Sequence, residues 1–247
     1  MNGCPSMAAG VFVKTPGYSQ VKTRLAETIG ARAAEMFHRL SSMAVASVLV
    51  EASSMFAVRP YWAVAEPEAV HDPLWRGFPV ISQGEGGLGH RLDRVYRLLR
   101  QRHRAVVFLG ADSPQIQASH VRQAYHLLSS DQHATVIGPS SDGGFYLCGG
   151  NVELKSSAWT DVAYGTDQAA GQWCANVEPT ARAFRLETLF DVDYFEGLIQ
   201  LKAALSGNTR HLTAAQRRLL EWLMKVGYVT GDSCGCPEHV TSVDICE

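Results

Sequence analysis

The sequence predicts an α/β fold of three layers, α/β/α, whose mostly parallel mixed sheet is covered by helices on both faces. Two observations carry this. Short runs rich in β-branched and aromatic residues alternate with longer segments whose apolar residues recur at helical spacing. The strongest apolar run, AVVFL at 105–109, shows no polar alternation, as a strand buried on both faces should. No internal repeat, low-complexity tract or interdomain linker interrupts the pattern before residue 205.

The elements follow in order. Ala8 to Lys14, AAGVFVK, reads as the first strand. Ala31 to Ala52 reads as a long helix, with Ala33, Met36, Phe37, Leu40, Met43 and Ala44 at helical spacing. Tyr61 to Ala65 is a strand, and Pro79 to Ser82 a weak one. His90 to His103 is a helix with Leu92, Val95, Leu98 and Leu99 on one face. After AVVFL comes a helix at Gln117 to Leu128. Strands at Ala134 to Ile137 and Phe145 to Cys148 flank a Gly-rich turn. Thr166 to Val177 reads as helix, Ala181 to Leu186 as strand and Tyr194 to Leu205 as helix. Residues 1–207 form the predicted main domain. Residues 208–247 hold a helix, Thr213 to Val226, and a Cys-rich tail. In parallel sheets ligands bind beyond the carboxyl ends of the strands, so residues just after strands are the candidates for function.

Composition narrows the classes. Of 247 residues 46% are apolar, enough for a substantial core, and 19% are charged. A net charge of -2 gives no electrostatic reason to expect nucleic acid or an anionic membrane as partner. The opening MNGCPSMAAGVFVK has no basic segment ahead of its short apolar run, so the expected location is the cytoplasm. Six cysteines, three of them in the last 14 residues, do not make a disulfide framework. No P-loop, nucleophile elbow or H-E-x-x-H occurs. Nothing points to a covalent protein nucleophile.

The first strand runs into KTPGYSQVKTRL, residues 14–25. Lys14, Lys22 and Arg24 lie close together here, and Pro16, Gly17 and Ser19 keep the segment from being helical. Free backbone N–H groups and cations suit a diphosphate or triphosphate; a solvated basic loop is the alternative. Asp112 follows AVVFLGA directly. A carboxylate there can hold a divalent cation that bridges phosphates. Alternatively Asp112 or Ser113 caps the next helix, with Pro114 at its first position. Asp142, in SSDGG, is either an ordinary hairpin-turn residue or a group that orients or deprotonates an acceptor.

The run FVKTPGYSQVKTRLAETIG resembles the opening signature of the radical-SAM-associated glycosyltransferase-like family related to 2-phospholactate guanylyltransferase. QGEGGLGHRL (83–92), FLGADSPQI (108–116) and GPSSDGGFYLCG (138–149) are similar to that family's later motifs, in the same order. DVDYFEGL (191–198) is similar to its closing D-V-D segment. It departs at Tyr194 and Phe195, where Thr and Pro are usual, and at Gly197, where an acid is usual. The resemblance implies a nucleotide-diphospho-sugar transferase fold of the GT-A kind. It implies Mg²⁺ or Mn²⁺ held by Asp112 and Asp193, phosphates on Lys14, Lys22 and Arg24, and a nucleotide pocket lined by Gln83 and Gly84. A capping box with Glu196 is the other reading of Asp193.

The implied activity is transfer from a nucleotide-diphospho-sugar, or from an NTP, to a small-molecule acceptor, with Asp112 and Asp142 as the catalytic carboxylates. A nucleotidyltransferase releasing pyrophosphate is the alternative, and a nucleotide-binding or scaffold protein the non-enzyme alternative.

Two motifs compete with this reading. GEGGLG (84–89) matches the dinucleotide fingerprint, but Pro79 weakens the strand before it and a strand with a basic loop already lies upstream. In the tail, Cys234, Cys236, His239 and Cys246 are donor types for zinc; free thiols or a disulfide are the alternatives.

Overall fold

The computed structural model describes residues 7–226. Seven strands form one sheet in the order β3-β2-β1-β4-β6-β5-β7. They are β1 (Met7–Val13), β2 (Val58–Val64), β3 (Val80–Ser82), β4 (Ala105–Gly110), β5 (Ala134–Pro139), β6 (Phe145–Gly150) and β7 (Arg182–Arg185). All neighbours are parallel except those of β6, which runs antiparallel between β4 and β5. The hairpin joining β5 to β6 causes this reversal. It inserts β6 beside β4 and leaves β4 and β5 pointing the same way.

The helices are α1 (Thr23–Ile29), α2 (Ala31–Met55), α3 (Leu88–Arg100), α4 (Ala118–Ser130), α5 (Ser157–Thr160), α6 (Ala169–Val177), α7 (Phe195–Gly207) and α8 (Ala214–Lys225). Side-chain alternation along β1 sorts them into layers. Met7, Ala9, Val11 and Val13 face a cluster with Val45, Leu49, Val121 and Leu128 of α2 and α4. Ala8 faces the opposite cluster, with Leu92, Tyr96, Trp159 and Trp173 of α3, α5 and α6. Each fully buried large apolar side chain contributes about 1.5–3 kcal/mol relative to exposure, which is why both faces are closed.

A third cluster lies outside α2, where Leu25, Phe37, Leu201, Leu205, Leu219 and Leu223 join α1, α2, α7 and α8. The helix expected at Thr213 to Val226 therefore packs on the domain. It is capped by Thr213, whose Oγ1 accepts from Gln216 N at 3.2 Å. Cys234, Cys236, His239 and Cys246 lie outside the described residues. Among the described residues no helix is long and apolar enough to cross a membrane.

GEGGLG follows the three-residue edge strand β3, not the central β1. Its last glycine has a packing reason: a Cβ on Gly89 would lie 2.4 Å from the carbonyl of Trp159, so α3 approaches α5 through it. The short α1 was not expected from the sequence.

Candidate active site

A cleft of about 790 Å³ opens at the carboxyl ends of β1, β2 and β4, within the usual range for small-molecule sites. Lys14, Lys22, Arg24, Gln83, Asp112, Asp142 and Asp193 all line it. Gly84, the other residue expected there, sits beside it with φ 75°, its N donating to Ser82 Oγ at 3.2 Å.

The basic loop is braced at its base. Thr15 N donates to Glu66 Oε2 at 2.9 Å, and Thr15 Oγ1 accepts from Trp75 Nε1 at 2.9 Å. The Thr15 carbonyl then accepts from Tyr18 N and Ser19 N, turning the chain back toward the cleft. Lys22 stands at the N-terminus of α1 with φ 50°, the one non-glycine with positive φ among the described residues. Such a conformation costs of order 1–3 kcal/mol and persists only where surrounding contacts enforce it.

The Lys22 side chain supplies those contacts. Its Nζ, with the side chain only 4% exposed, lies 2.7 Å from Asp112 Oδ1, 2.8 Å from Asp193 Oδ1 and 2.6 Å from the Val192 carbonyl. Three donors meet three acceptors. Burial works against the Lys22 charge, but Asp112 and Asp193 outweigh it and lift its pKa above the ordinary value. Partial burial likewise opposes ionisation of Asp112, whose side chain is 49% exposed, yet the ammonium prevails and holds that carboxyl below the usual carboxylate range. Asp191 moves the other way: burial, then the nearby charges of Asp142 and Asp193, raise its pKa.

Neither carboxylate caps a helix. The helix after Asp112 begins six residues on, at Ala118, with a capping box between Gln117 and His120. α7 has Tyr194 as its N-cap, without a side-chain cap bond. Val192 N donates to the Asp112 carbonyl at 3.0 Å and brings the 191–193 segment beside β4.

The departures at Tyr194 and Gly197 find local reasons. Arg24 lies over the Tyr194 ring at 5.4 Å, with its Nη1 3.7 Å from Asp193 Oδ2. A Cβ on Gly197 would press on Val192 Cα at 3.1 Å.

Asp142 is the hairpin-turn residue of its first reading, and it also lines the cleft. Its Oδ1 accepts from Ser140 Oγ at 2.5 Å and Gly144 N at 2.9 Å, which fixes the β5–β6 turn, while the residue lines the cleft. Gly143 next to it has φ 87°, and a Cβ there would lie 2.1 Å from the Asp167 carbonyl.

Gln83 is 4% exposed; its amide donates to the carbonyls of Val13 and Ala63 at 3.2 and 2.8 Å, tying the ends of β1 and β2 together. Arg91 Nη1 reaches Gln83 Oε1 at 3.5 Å.

His38 was not singled out in the sequence. It lines the cleft from α2 and donates Nε2–H to the Lys14 carbonyl at 2.8 Å; burial lowers its pKa. Its spacing from Ala34, Ser41 and Val45, which share its buried face of α2, was the available signal.

Asp112 and Asp193 share one partner atom, so they face one point, and both are hard oxygen donors. The Lys22 ammonium fills that point, so a small divalent cation would take the remaining oxygens, Asp112 Oδ2 and Asp193 Oδ2, and complete its shell with phosphate oxygens and water. Among the described residues no group of three or more His, Cys, Asp or Glu is gathered to hold a metal alone. The Lys22 ammonium stands between the two carboxylates.

A family model described as an uncharacterized protein conserved in bacteria, DUF2064, matches residues 27–166, more than half of the chain. The chain belongs to this family. No curated protein matches it in sequence.

Solved structures share the fold. A protein from Desulfovibrio desulfuricans G20, provisionally assigned as a nucleotide-diphospho-sugar transferase, superposes with TM-score 0.73 at 20% identity, covering 89% of this chain and 97% of that one. A nucleotidyl transferase from Methanothermobacter thermautotroptrophicus gives TM-score 0.56 at 13% identity, covering 82% and 99%. The 4-diphosphocytidyl-2C-methyl-D-erythritol synthase of Anaerococcus prevotii DSM 20548 gives 0.54 at 7% identity, covering 81% and 98%. At these identities the likeness establishes the α/β fold.

Proposed function

We propose that this chain is a divalent-metal-dependent transferase that binds a nucleotide diphosphate moiety in the cleft and passes the sugar of a nucleotide-diphospho-sugar to a small acceptor. One observation carries the reading. Asp112 and Asp193, from distant parts of the chain, converge on the same buried ammonium at the carboxyl ends of the central strands. The motif resemblance and the fold of the Desulfovibrio protein support it.

In this reading Lys14 and Arg24, both exposed at the cleft, take phosphate oxygens as charge-assisted partners. Asp112 and Asp193 hold Mg²⁺ or Mn²⁺. When bound, the metal neutralises charge on the diphosphate leaving group. Gln83 and Gly84 border the nucleoside. The free Oδ2 of Asp142 orients the acceptor hydroxyl and takes its proton. The acceptor oxygen bonds to the anomeric carbon, the bond from that carbon to the β-phosphate oxygen breaks, and the nucleoside diphosphate leaves. The protein contributes positioning and charge, not a covalent intermediate.

Nucleotidyl transfer is the second reading, because Lys14 and Arg24 at the cleft also suit a triphosphate and one fold neighbour is a nucleotidyl transferase by name. There the acceptor attacks the α-phosphorus and pyrophosphate leaves. Incubation with panels of nucleotide-sugars and of NTPs, each with Mn²⁺, separates the two. Release of nucleoside diphosphate supports sugar transfer, and pyrophosphate supports the second reading. A protein that neither binds nor turns over any of them is a scaffold on this fold, and the proposal fails.

A further inference from the structure

The loop that carries Asp112 is held from three sides. Ser41 Oγ of α2 donates to the Ala111 carbonyl, and Val192 N donates to the Asp112 carbonyl at 3.0 Å. Ile116 N closes the turn onto the Ser113 carbonyl at 3.1 Å. The Pro114 and Ile116 carbonyls remain, and both accept from one side chain. Gln216 Nε2, in the first turn of α8, donates to each at 2.9 Å.

Gln216 is itself anchored. It is 1% exposed, and its Oε1 accepts from Thr213 N at 3.0 Å and from Thr213 Oγ1 at 3.3 Å. Thr213 Oγ1 lies 2.6 Å from Ser47 Oγ on α2, the helix whose Ser41 grips the loop from the other side. Both amide protons and both acceptor sites of Gln216 are therefore used, and each bond spans from the C-terminal helix to the loop or closes the cap. A side chain so fully committed over 100 residues of sequence has no freedom to rotate away.

We infer that Gln216 is a positioning residue for Asp112, and that α8, which lies outside the segment matched by the family model, is a working part of the active site. Two carbonyls at 114 and 116 left without their shared donor would be buried and unpaired, and the turn would relax to find water. Asp112 would then lose its fixed place opposite Asp193. The consequence for metal and phosphate rests on the function proposed above; the consequence for the loop does not.

The test uses the full chain, Gln216→Met and a control, Leu219→Ala. Methionine keeps the length and helical fit but donates nothing. Leu219, fully buried in the α2–α7–α8 cluster, loosens α8 without touching the loop. Amide exchange of residues 112–117, read by mass spectrometry well below the melting temperature, should rise about 10-fold or more in Gln216→Met and stay near the parent in Leu219→Ala. Mn²⁺ with inorganic pyrophosphate, a probe that needs no choice of base, should bind about 10-fold more weakly to Gln216→Met alone.

Unchanged exchange at 112–117 in Gln216→Met, or an equal rise in Leu219→Ala, overturns the inference. Should Gln216→Met not fold, Thr213→Val removes the hydroxyl bracing the cap and should raise exchange at 112–117 by a smaller factor; no rise overturns the inference. A parent that does not bind Mn²⁺-pyrophosphate counts against the proposed function, while the exchange still decides the role of Gln216.

Discussion

Replacing Lys22 by methionine removes the charge on Nζ, which lies 5.9 Å from the Phe37 ring centroid, and keeps a side chain of similar length. Removing one partner of a fully buried ion pair costs about 3–5 kcal/mol, because the other charge is stranded. Here the stranded partners are only part-buried: the Asp112 and Asp193 side chains are 49% and 36% exposed. Water can resolvate them, so the cost drops to about 1–3 kcal/mol. For a chain of this size that lowers the melting temperature by roughly 2–12 °C.

The pH dependence follows from the two shifts. Asp112 has its folded pKa depressed, so its contribution is present above the ordinary carboxylate value and is lost as pH falls through the folded one. Lys22 has its folded pKa raised, so its contribution is complete below about 10.5 and is lost as pH rises through the folded value. The gap in melting temperature between parent and Lys22→Met should stay flat across neutral pH and shrink at both extremes. Calorimetric scans from pH 3 to 11 measure it. Equal melting temperatures at pH 7, or a gap as large at pH 3, would refute the ion-pair account.

Other outcomes follow from the same geometry. Asp112→Asn keeps the shape and an Oδ1 acceptor for Lys22 but removes the charge, so it should melt cooperatively yet lose Mn²⁺-dependent nucleotide binding; calorimetric titration that matches the parent removes the metal assignment. Arg24→Ala should weaken nucleoside diphosphates by about 10- to 100-fold and nucleosides much less, the worth of one charge-assisted bond. Equal losses for both ligands would mean that the loop shapes the pocket without touching phosphate. Gly143→Ala forces a Cβ onto the Asp167 carbonyl at positive φ and should cost at least ~1–3 kcal/mol in denaturant unfolding. An unchanged midpoint would show that the Asp142 turn adapts freely.

The strands and long helices were legible in the sequence because burial of one or both faces writes a period into it. AVVFL reads as a central strand because helices cover both of its sides. The cleft residues were legible as residues after strands, and Lys14, Lys22, Arg24, Gln83, Asp112, Asp142 and Asp193 do meet in one cleft. What each does there was not legible. Asp and Ser before Pro114 have the composition of a helix cap, yet the chain spends four more residues in a turn because Ser41, Val192 and Gln216 hold it.

The seven-residue α1 escaped notice for a related reason. It starts without a side-chain cap, from a lysine in the left-handed region, and only an ion pair reaching across 171 positions makes that start tolerable. Local sequence fixes periodicity, since neighbours along the chain decide which face is apolar. Strand order decides which distant charges come within 3 Å, and with them the partner of Lys22, the role of Gln216 and the place where a phosphate would sit.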